Sequence, residues 1–467
     1  MDEKIDNGQS QTHEAFLKMR TEKRLKARAR RISVVEGSAC SIMDGCGQRY
    51  MIPYALALGA QNREIGFLSS FPSILGAVSQ LITIRMLGKF SRRKLLFFSV
   101  FSQALMWLMM IFAGYRYYYC PHGSMEIINL LTVIYTLLAL FGSMLTPAWN
   151  SWMNDIVPKN RGRYFGKRNQ IVGLVAMVSM LFAGLFMDVF KKNHLFWGFA
   201  GLFAVSFLAR TVSALLFLIQ YEPPFRQEKG SFFSFRDFLL RIYENNFGRF
   251  VVFVSLIGFS TMISAPFFSV YMLNELQMSY TGYTAVVLAS SLTNMIFMPA
   301  WGKFADRYGN FMVMRICGIL VAIVPLLWLV SPQVHSILPS LVVPVLVLIE
   351  GFSGIAWAGF SLANGNYIFE AVTRQKLAIC VAYFNIIYSI GVFAGGMLGG
   401  YLGNMGIRLS GSGLLFVFLI SGFARLATYL LMIGRIREVR IVKKFRLRDA
   451  IEMISHLNLM KIVGIFR

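Results

Sequence analysis

The sequence predicts an all-α membrane protein of twelve transmembrane helices in two pseudo-symmetric six-helix bundles. Three observations carry this. Of 467 residues, 56% are apolar and 15% charged, and the apolar residues fall in long blocks. Lys and Arg collect between those blocks on one side. A basic turn, Gly88-Lys89-Phe90-Ser91-Arg92-Arg93, recurs 214 residues later as Gly302-Lys303-Phe304-Ala305-Asp306-Arg307. A repeat at that distance, each copy after a long apolar helix, points to two homologous bundles.

The elements follow from block length, since a spanning helix needs about 20 mainly apolar residues. The first half supplies blocks near 33–59, 65–87, 95–113, 126–156, 169–190 and 196–220. The second supplies 249–275, 283–301, 311–331, 339–370, 377–403 and 412–434. The blocks are continuous rather than alternating, which predicts helices rather than a barrel. Residues 1–31 form a basic tail, 32–220 the first bundle, 221–248 a linker, 249–434 the second bundle and 435–467 a second basic tail. Glu222-Pro223-Pro224 ends the sixth helix, because proline cannot continue one. The aromatic and charged run Phe232–Ile242 reads as a short helix on the bilayer surface, and the tail repeats that pattern at Leu447, Ile451, Ile454 and Leu457.

The net charge of +24 raises a nucleic-acid reading that its distribution excludes. With both termini cytoplasmic, only Arg63, Arg116, Lys191, Lys192 and Arg408 of the 46 basic residues face the other side. That bias sets orientation in the cytoplasmic (inner) membrane, with attraction to anionic lipids as a secondary effect. The opening 31 residues lack the apolar core and cleavage site of a secretory leader, so the first span is expected to be retained. The five cysteines are scattered, and neither a disulfide, a metal site nor a cofactor is expected.

The repeat extends beyond the turns. Ser206–Arg210 in the sixth helix matches Ser421–Arg425 in the twelfth, Asp155 matches Glu370, Asn150 matches Asn364, and Pro53 matches Pro266. With Pro147–Pro158, followed by Arg161-Gly162-Arg163, these turns make the chain resemble the major facilitator superfamily of secondary transporters. It looks most like bacterial members without an assigned substrate. Arg92 stands where that family usually places an aspartate, which predicts a weakened latch at the first turn. The resemblance implies a gating set of Gly88, Arg92, Arg93, Gly302, Asp306 and Arg307. Asp155 and Glu370 join it as latch acids at cytoplasmic helix ends, near Arg161, Arg163 and Arg374.

The resemblance also implies that helices 1, 4, 7 and 10 line a central cavity, and each carries a polar or aromatic stripe. Helix 1 places Ser41, Asp44 and Gln48 on one face. Helix 4 offers Pro147, Asn150 and Asn154. Helix 7 offers Ser260, Ser264, Phe267 and Tyr271. Helix 10 offers Glu350, Gly354, Trp357, Ser361 and Asn364. Asp44 falls near mid-bilayer, where a carboxylate costs at least ~2.5–3.5 kcal/mol on insertion scales and is expected to be functional or paired. It is the first candidate for a coupling proton or a substrate contact, and Glu350 the second. Glu36, nearer the cytoplasmic end, is expected to reach water. Arg210 and Arg425 read as a structural pair.

The expected function is alternating-access transport of a small solute, as a symporter or antiporter with proton coupling as an option, by a monomer. No Gly-x-x-x-x-Gly-Lys-Ser/Thr loop supports ATP-driven transport, and no His-Glu-x-x-His or nucleophile–base set supports an enzyme. The alternative is a membrane scaffold or sensor that kept the fold, a reading that draws on Arg92.

Overall fold

The structure is a computed structural model that describes residues 2–87, 89–120, 123–157, 161–191, 194–224 and 234–443. Twelve long helices organise them. In the first half they are α1 (Asp2–Cys46), α2 (Asn62–Met86), α3 (Arg92–Tyr119), α4 (Ser124–Ile156), α5 (Arg161–Phe190) and α6 (Leu195–Ile219). In the second they are α7 (Asn246–Met262), α8 (Tyr280–Tyr308), α9 (Asn310–Leu327), α10 (Val342–Ala371), α11 (Arg374–Gly403) and α12 (Gly413–Met432). No strand occurs among the described residues. Ten helical segments are long and apolar enough to cross a membrane. The other two expected spans fall at α1, which breaks at Gly47, and α2, which carries Ser69, Ser70, Ser73, Ser79 and Gln80 along its body. Twelve crossings therefore stay the expectation, met tenfold by length and composition.

Local chemistry sets the helix starts. Side-chain oxygens of Ser91, Asn245, Ser279 and Ser412 accept from the first free backbone N–H groups of α3, α7, α8 and α12. Gln61 and Glu64 form a reciprocal capping box on α2. The first helix of each half is broken. After Gly47 a 3₁₀ turn (Gln48–Tyr50) leads into Met51–Ala57. After Met262 the chain restarts as Ala265–Val270 with Pro266 in its first turn, then a π-turn at Tyr271–Glu275. Pro266 has no N–H to continue the preceding helix, so the break is written in the sequence.

Helix contacts repeat between the halves: α2–α4, α3–α4, α3–α6, α1–α5 and α1–α6 reappear as α8–α10, α9–α10, α9–α12, α7–α11 and α7–α12. The halves meet chiefly along α2–α11 and α5–α8. At the first seam small residues let backbones touch: a Cβ on Gly66 would strike the Gly396 carbonyl and the Gly400 backbone.

The apolar cores show how the halves are joined. One large core, at the end away from the α6–α7 linker, takes residues from both, among them Tyr50, Leu68, Trp107, Leu131, Phe267, Trp328 and Phe418. At the linker end each half has its own core, Leu96, Trp152 and Phe217 in the first and Phe250, Phe304 and Tyr367 in the second. The halves share a core at one end, the sealed end, and keep separate cores toward the other, the parted end, where Asn385 of α11 still donates to Gln80 Oε1 of α2 at 2.9 Å.

In the linker Phe235–Leu240 is helical. Phe238 is buried, and Phe235 and Phe238 pack on Tyr383 of α11 with ring centroids 5.0 and 5.6 Å apart, while Arg236, Asp237, Leu239 and Leu240 are exposed. Residues 225–233 and the expected tail helix beyond 443 lie outside the described residues.

Candidate functional site: a cavity between the halves

A cavity of about 330 Å³ lies between the halves against the joint core. The broken stretch after α1 contributes Gln48, Arg49, Met51 and Ile52. The restart after α7 contributes Ala265, Phe268, Ser269 and Met272. Leu68, Ser69 and Tyr135 come from α2 and α4; Tyr283, Ser290 and Ser291 from α8; Trp328 and Glu350 complete the wall. The breaks are what bring short polar side chains and turned backbone to mid-depth.

Of the expected site residues, Gln48 and Glu350 line this cavity. Glu350 sits among Ser290, Ser353 and Trp328, with Arg425 acting on it electrostatically. Asp44 lies in the electrostatic reach of Tyr135 of the wall, exposed to solvent and in the fields of Arg210 and Arg49. Ser41, on the same expected face, is buried. Asn150 and Asn154 are exposed; Trp357 and Asn364 are half-buried, and Asn364 Oδ1 has no hydrogen-bond partner.

The helix 7 stripe is corrected. Ser264 bonds Ser421 Oγ at 2.9 Å, and Ser260 meets Thr428 Oγ1 at 3.3 Å, both on α12. Tyr271 bonds Ser331 Oγ at 2.9 Å and is buried with Phe267. Proline resets the helix phase at Ala265, so Phe268, Ser269 and Met272 face the cavity instead. Sequence reasoning also missed α8 as a lining helix, although Tyr283, Ser290 and Ser291 were a visible polar stripe.

Buried charge supports the first half. Glu36, 3% exposed, lies 3.5 Å from Arg168 and 4.0 Å from Arg210 and accepts from Ser213 Oγ at 2.8 Å. This overturns the expectation that Glu36 reaches water: α5 and α6 close over it. Arg210 also donates to Gln103 Oε1 at 2.7 Å.

The sealed end is held by polar contacts between halves. Asp188 of α5 accepts from the backbone N–H of Tyr280 and Thr281 at 2.7 and 2.8 Å, occupying the start of α8. Lys191 donates to the Met278 carbonyl at 2.9 Å. Tyr50 bonds Thr284 Oγ1 at 2.7 Å, Tyr283 donates to the Arg49 carbonyl at 3.1 Å, and Asn62 donates to the Gly403 carbonyl at 3.2 Å.

At the parted end the gating set resolves into two clusters. Arg92, fully buried at the start of α3, lies 2.6 Å from Asp155 and 3.6 Å from Glu222 and donates to the Pro223 carbonyl at 2.7 Å. Arg93 donates to the Gln220 carbonyl at 3.3 Å. The residue expected to weaken this turn is thus its principal link. In the second half Asn310, at the start of α9, donates to Glu370 at 2.8 Å, and Arg440 reaches Glu370 at 2.9 Å. Glu438 accepts from the Phe311 N–H as Glu222 does from the Arg92 N–H, both at 2.9 Å.

Asp306 and Arg307 are exposed, Arg307 lying over the Tyr308 ring at 5.2 Å. Gly302 lies inside α8, where a Cβ would make ordinary contact with Leu362 Cδ2 at 3.8 Å; the turn falls on Gly309, at φ +91°. Gly88 and the side chains of Arg161, Arg163 and Arg374 lie outside the described residues.

Among the described residues no group of three or more His, Cys, Asp or Glu could hold a metal ion. The family model described as Major Facilitator Superfamily matches residues 37–247 and 250–461. The chain is 24% identical over 361 residues to an uncharacterized MFS-type transporter of Methanocaldococcus jannaschii, covering 76% of this chain and 86% of that one. Its fold is similar to a mutant of the nucleoside transporter NupG, with TM-score 0.69 and 15% identity over 88% of this chain and 100% of that one. It is also similar to a bacterial homologue of the iron transporter ferroportin in an inward-facing state, with TM-score 0.60 and 13% identity over 88% and 98% of the two chains.

Proposed function

The chain belongs to the major facilitator superfamily, and from that premise we propose that it carries a small solute across the cytoplasmic membrane by alternating access. The observation that carries this is the arrangement of cores: joined across the halves at one end, separate at the other, with the cavity between them. Rocking the halves would break the Asp188 and Tyr50 contacts and bring the exposed Asp306 turn toward the first half. In this reading both termini and the linker are cytoplasmic, and Asp44 carries a coupling proton, being exposed with no ion pair within 4 Å among the described residues.

Support for a non-transporting scaffold came from Arg92, and its place in the first cluster removes that support. The test uses protein reconstituted in vesicles. A solute-dependent proton flux is expected. Asp44→Asn should abolish pH-driven accumulation while downhill exchange continues, because the amide mimics the protonated acid. Full accumulation by that variant removes Asp44 from the coupling step and turns the test to Glu350. Orientation is checked by outside labelling, which should reach Cys120 and leave residues 158–168 protected; the reverse pattern inverts the topology.

A further inference from the structure

The inference rests on the cavity being the transport site, and it concerns what that cavity takes. Its buried charges can be followed group by group. In the first half Glu36 and Asp44 stand against Arg168, Arg210 and Arg49: Glu36 lies within 4.0 Å of Arg168 and Arg210, and Asp44 is in the fields of Arg210 and Arg49. Three arginines face two carboxylates, so one positive charge is in excess. Arg49 is the one of the three that lines the cavity, and no carboxylate lies within ion-pair distance of it among the described residues. From the other half Glu350 enters the same cavity, outside any ion pair within 4.0 Å and in the field of Arg425, which donates to the carbonyls of Val321 and Thr261 and to Ser264 Oγ and leaves its Nε without a hydrogen-bond partner. One guanidinium and one carboxylate thus face a shared space from opposite halves. The rest of the wall mixes apolar side chains, among them Ile52, Phe268, Met272 and Trp328, with the hydroxyls of Ser69, Ser269 and Ser290.

We propose that the cavity binds a small zwitterion of amino-acid type, its carboxylate on Arg49, its ammonium on Glu350 and an apolar body along Phe268 and Met272. An uncharged solute such as a nucleoside would leave both groups desolvated as the halves close, with no partner within ion-pair distance. A metal cation would be repelled by Arg49. The volume of about 330 Å³ is at the lower end of ligand pockets, which run ~300–1,000 Å³, and fits a metabolite rather than a lipid. Because the two charges belong to different halves, the zwitterion would also bridge the halves, which is how a bound solute promotes closure.

The experiment measures binding to the purified full-length protein by calorimetry, with phenylalanine, leucine, phenethylamine, hydrocinnamate and uridine as probes. At least one of the two amino acids should bind, and its counterpart lacking either charge should bind ~10–100-fold more weakly, the loss expected for one charge-assisted contact. Arg49→Gln should reduce the amino acid to the affinity of the amine, and Glu350→Gln to that of the acid. Should either variant fail to fold, Arg49→Lys and Glu350→Asp keep the charges and should preserve the ranking at lower affinity. An amino acid binding no better than its fragments, or unaffected by Arg49→Gln, overturns the proposal. Uridine binding alone, with exchange of uridine by vesicles carrying the protein, would overturn the zwitterion and leave the transport reading standing. Absence of proton flux or exchange with any solute would overturn that reading itself.

Discussion

Arg210 in α6 and Arg425 in α12 occupy repeated positions, yet they are satisfied differently. Arg210 has a carboxylate, Glu36, within 4.0 Å; Arg425 touches only neutral oxygens, and its one electrostatic partner, Glu350, belongs to the cavity. The same substitution separates these roles. Arg210→Met leaves Glu36 buried with Arg168 alone, and breaking a buried pair costs about 3–5 kcal/mol. Arg425→Met removes a charge from oxygens that keep other partners, Ser264 still bonded to Ser421, so stability should change by no more than about 1 kcal/mol. Denaturant unfolding of the purified variants checks both. Equal losses would show that the two arginines do the same work.

The linker-end clusters form a second pair with a smaller contrast. The first half fastens its helix ends with a buried arginine on α3, the second with Asn310 on α9 and an arginine from beyond α12. Arg92→Ala should cost about 2–3 kcal/mol, below the range for a fully buried pair because Asp155 is 41% exposed. Asn310→Ala should cost about 1 kcal/mol, since Arg440 still holds Glu370. A thermal-melt comparison with the larger loss at Asn310 would reverse the assignment.

Within the second turn two glycines differ in the same way. Gly309 has φ +91°, and a Cβ there would strike the Glu438 carboxylate. Gly309→Ala should therefore cost about 1–3 kcal/mol from backbone strain and loss of that contact. Gly302→Ala, whose Cβ would meet only Leu362 Cδ2 at 3.8 Å, should leave the melting temperature nearly unchanged. This reverses the weight that the sequence pattern alone puts on Gly302.

How much could be read beforehand follows from these cases. The two halves were legible because apolar length and repeat spacing are local properties of the chain. Asp155 and Glu370 were legible as equivalents for the same reason. Their partners were not: Arg92 lies 63 residues from Asp155, and Arg440 lies 70 from Glu370. Nearness in sequence suggested Arg161 and Arg163 instead. The helix 7 face failed because one uninterrupted period was carried through Pro266, where the chain restarts in a new phase. Glu36 failed because depth along a helix does not reveal which neighbours cover it.

The smallest expected effect lies in the two seams of the sealed end. At α2–α11 the backbones touch through glycines, with an amide bond from Asn62 to Gly403 at the sealed end and a second, from Asn385 to Gln80, nearer the linker end; at α5–α8 a carboxylate, Asp188, holds two N–H groups at the start of the facing helix. A carboxylate at a helix N-terminus gains from the helix dipole as well as from its hydrogen bonds. Asp188→Asn keeps one acceptor and loses the charge, which should weaken the seal by about 1 kcal/mol, or roughly fivefold in the population open at that end. Asn62→Ala removes a single neutral bond and leaves the glycine contact intact, so its shift should be smaller, roughly twofold. A cysteine replacing Ser269 in the cavity wall, in a background without other cysteines, reports the opening by its rate of labelling from the sealed side. Faster labelling in Asp188→Asn than in Asn62→Ala would show that the charged seam is the firmer one. The opposite order would move the firmer hold to the glycine contact between α2 and α11.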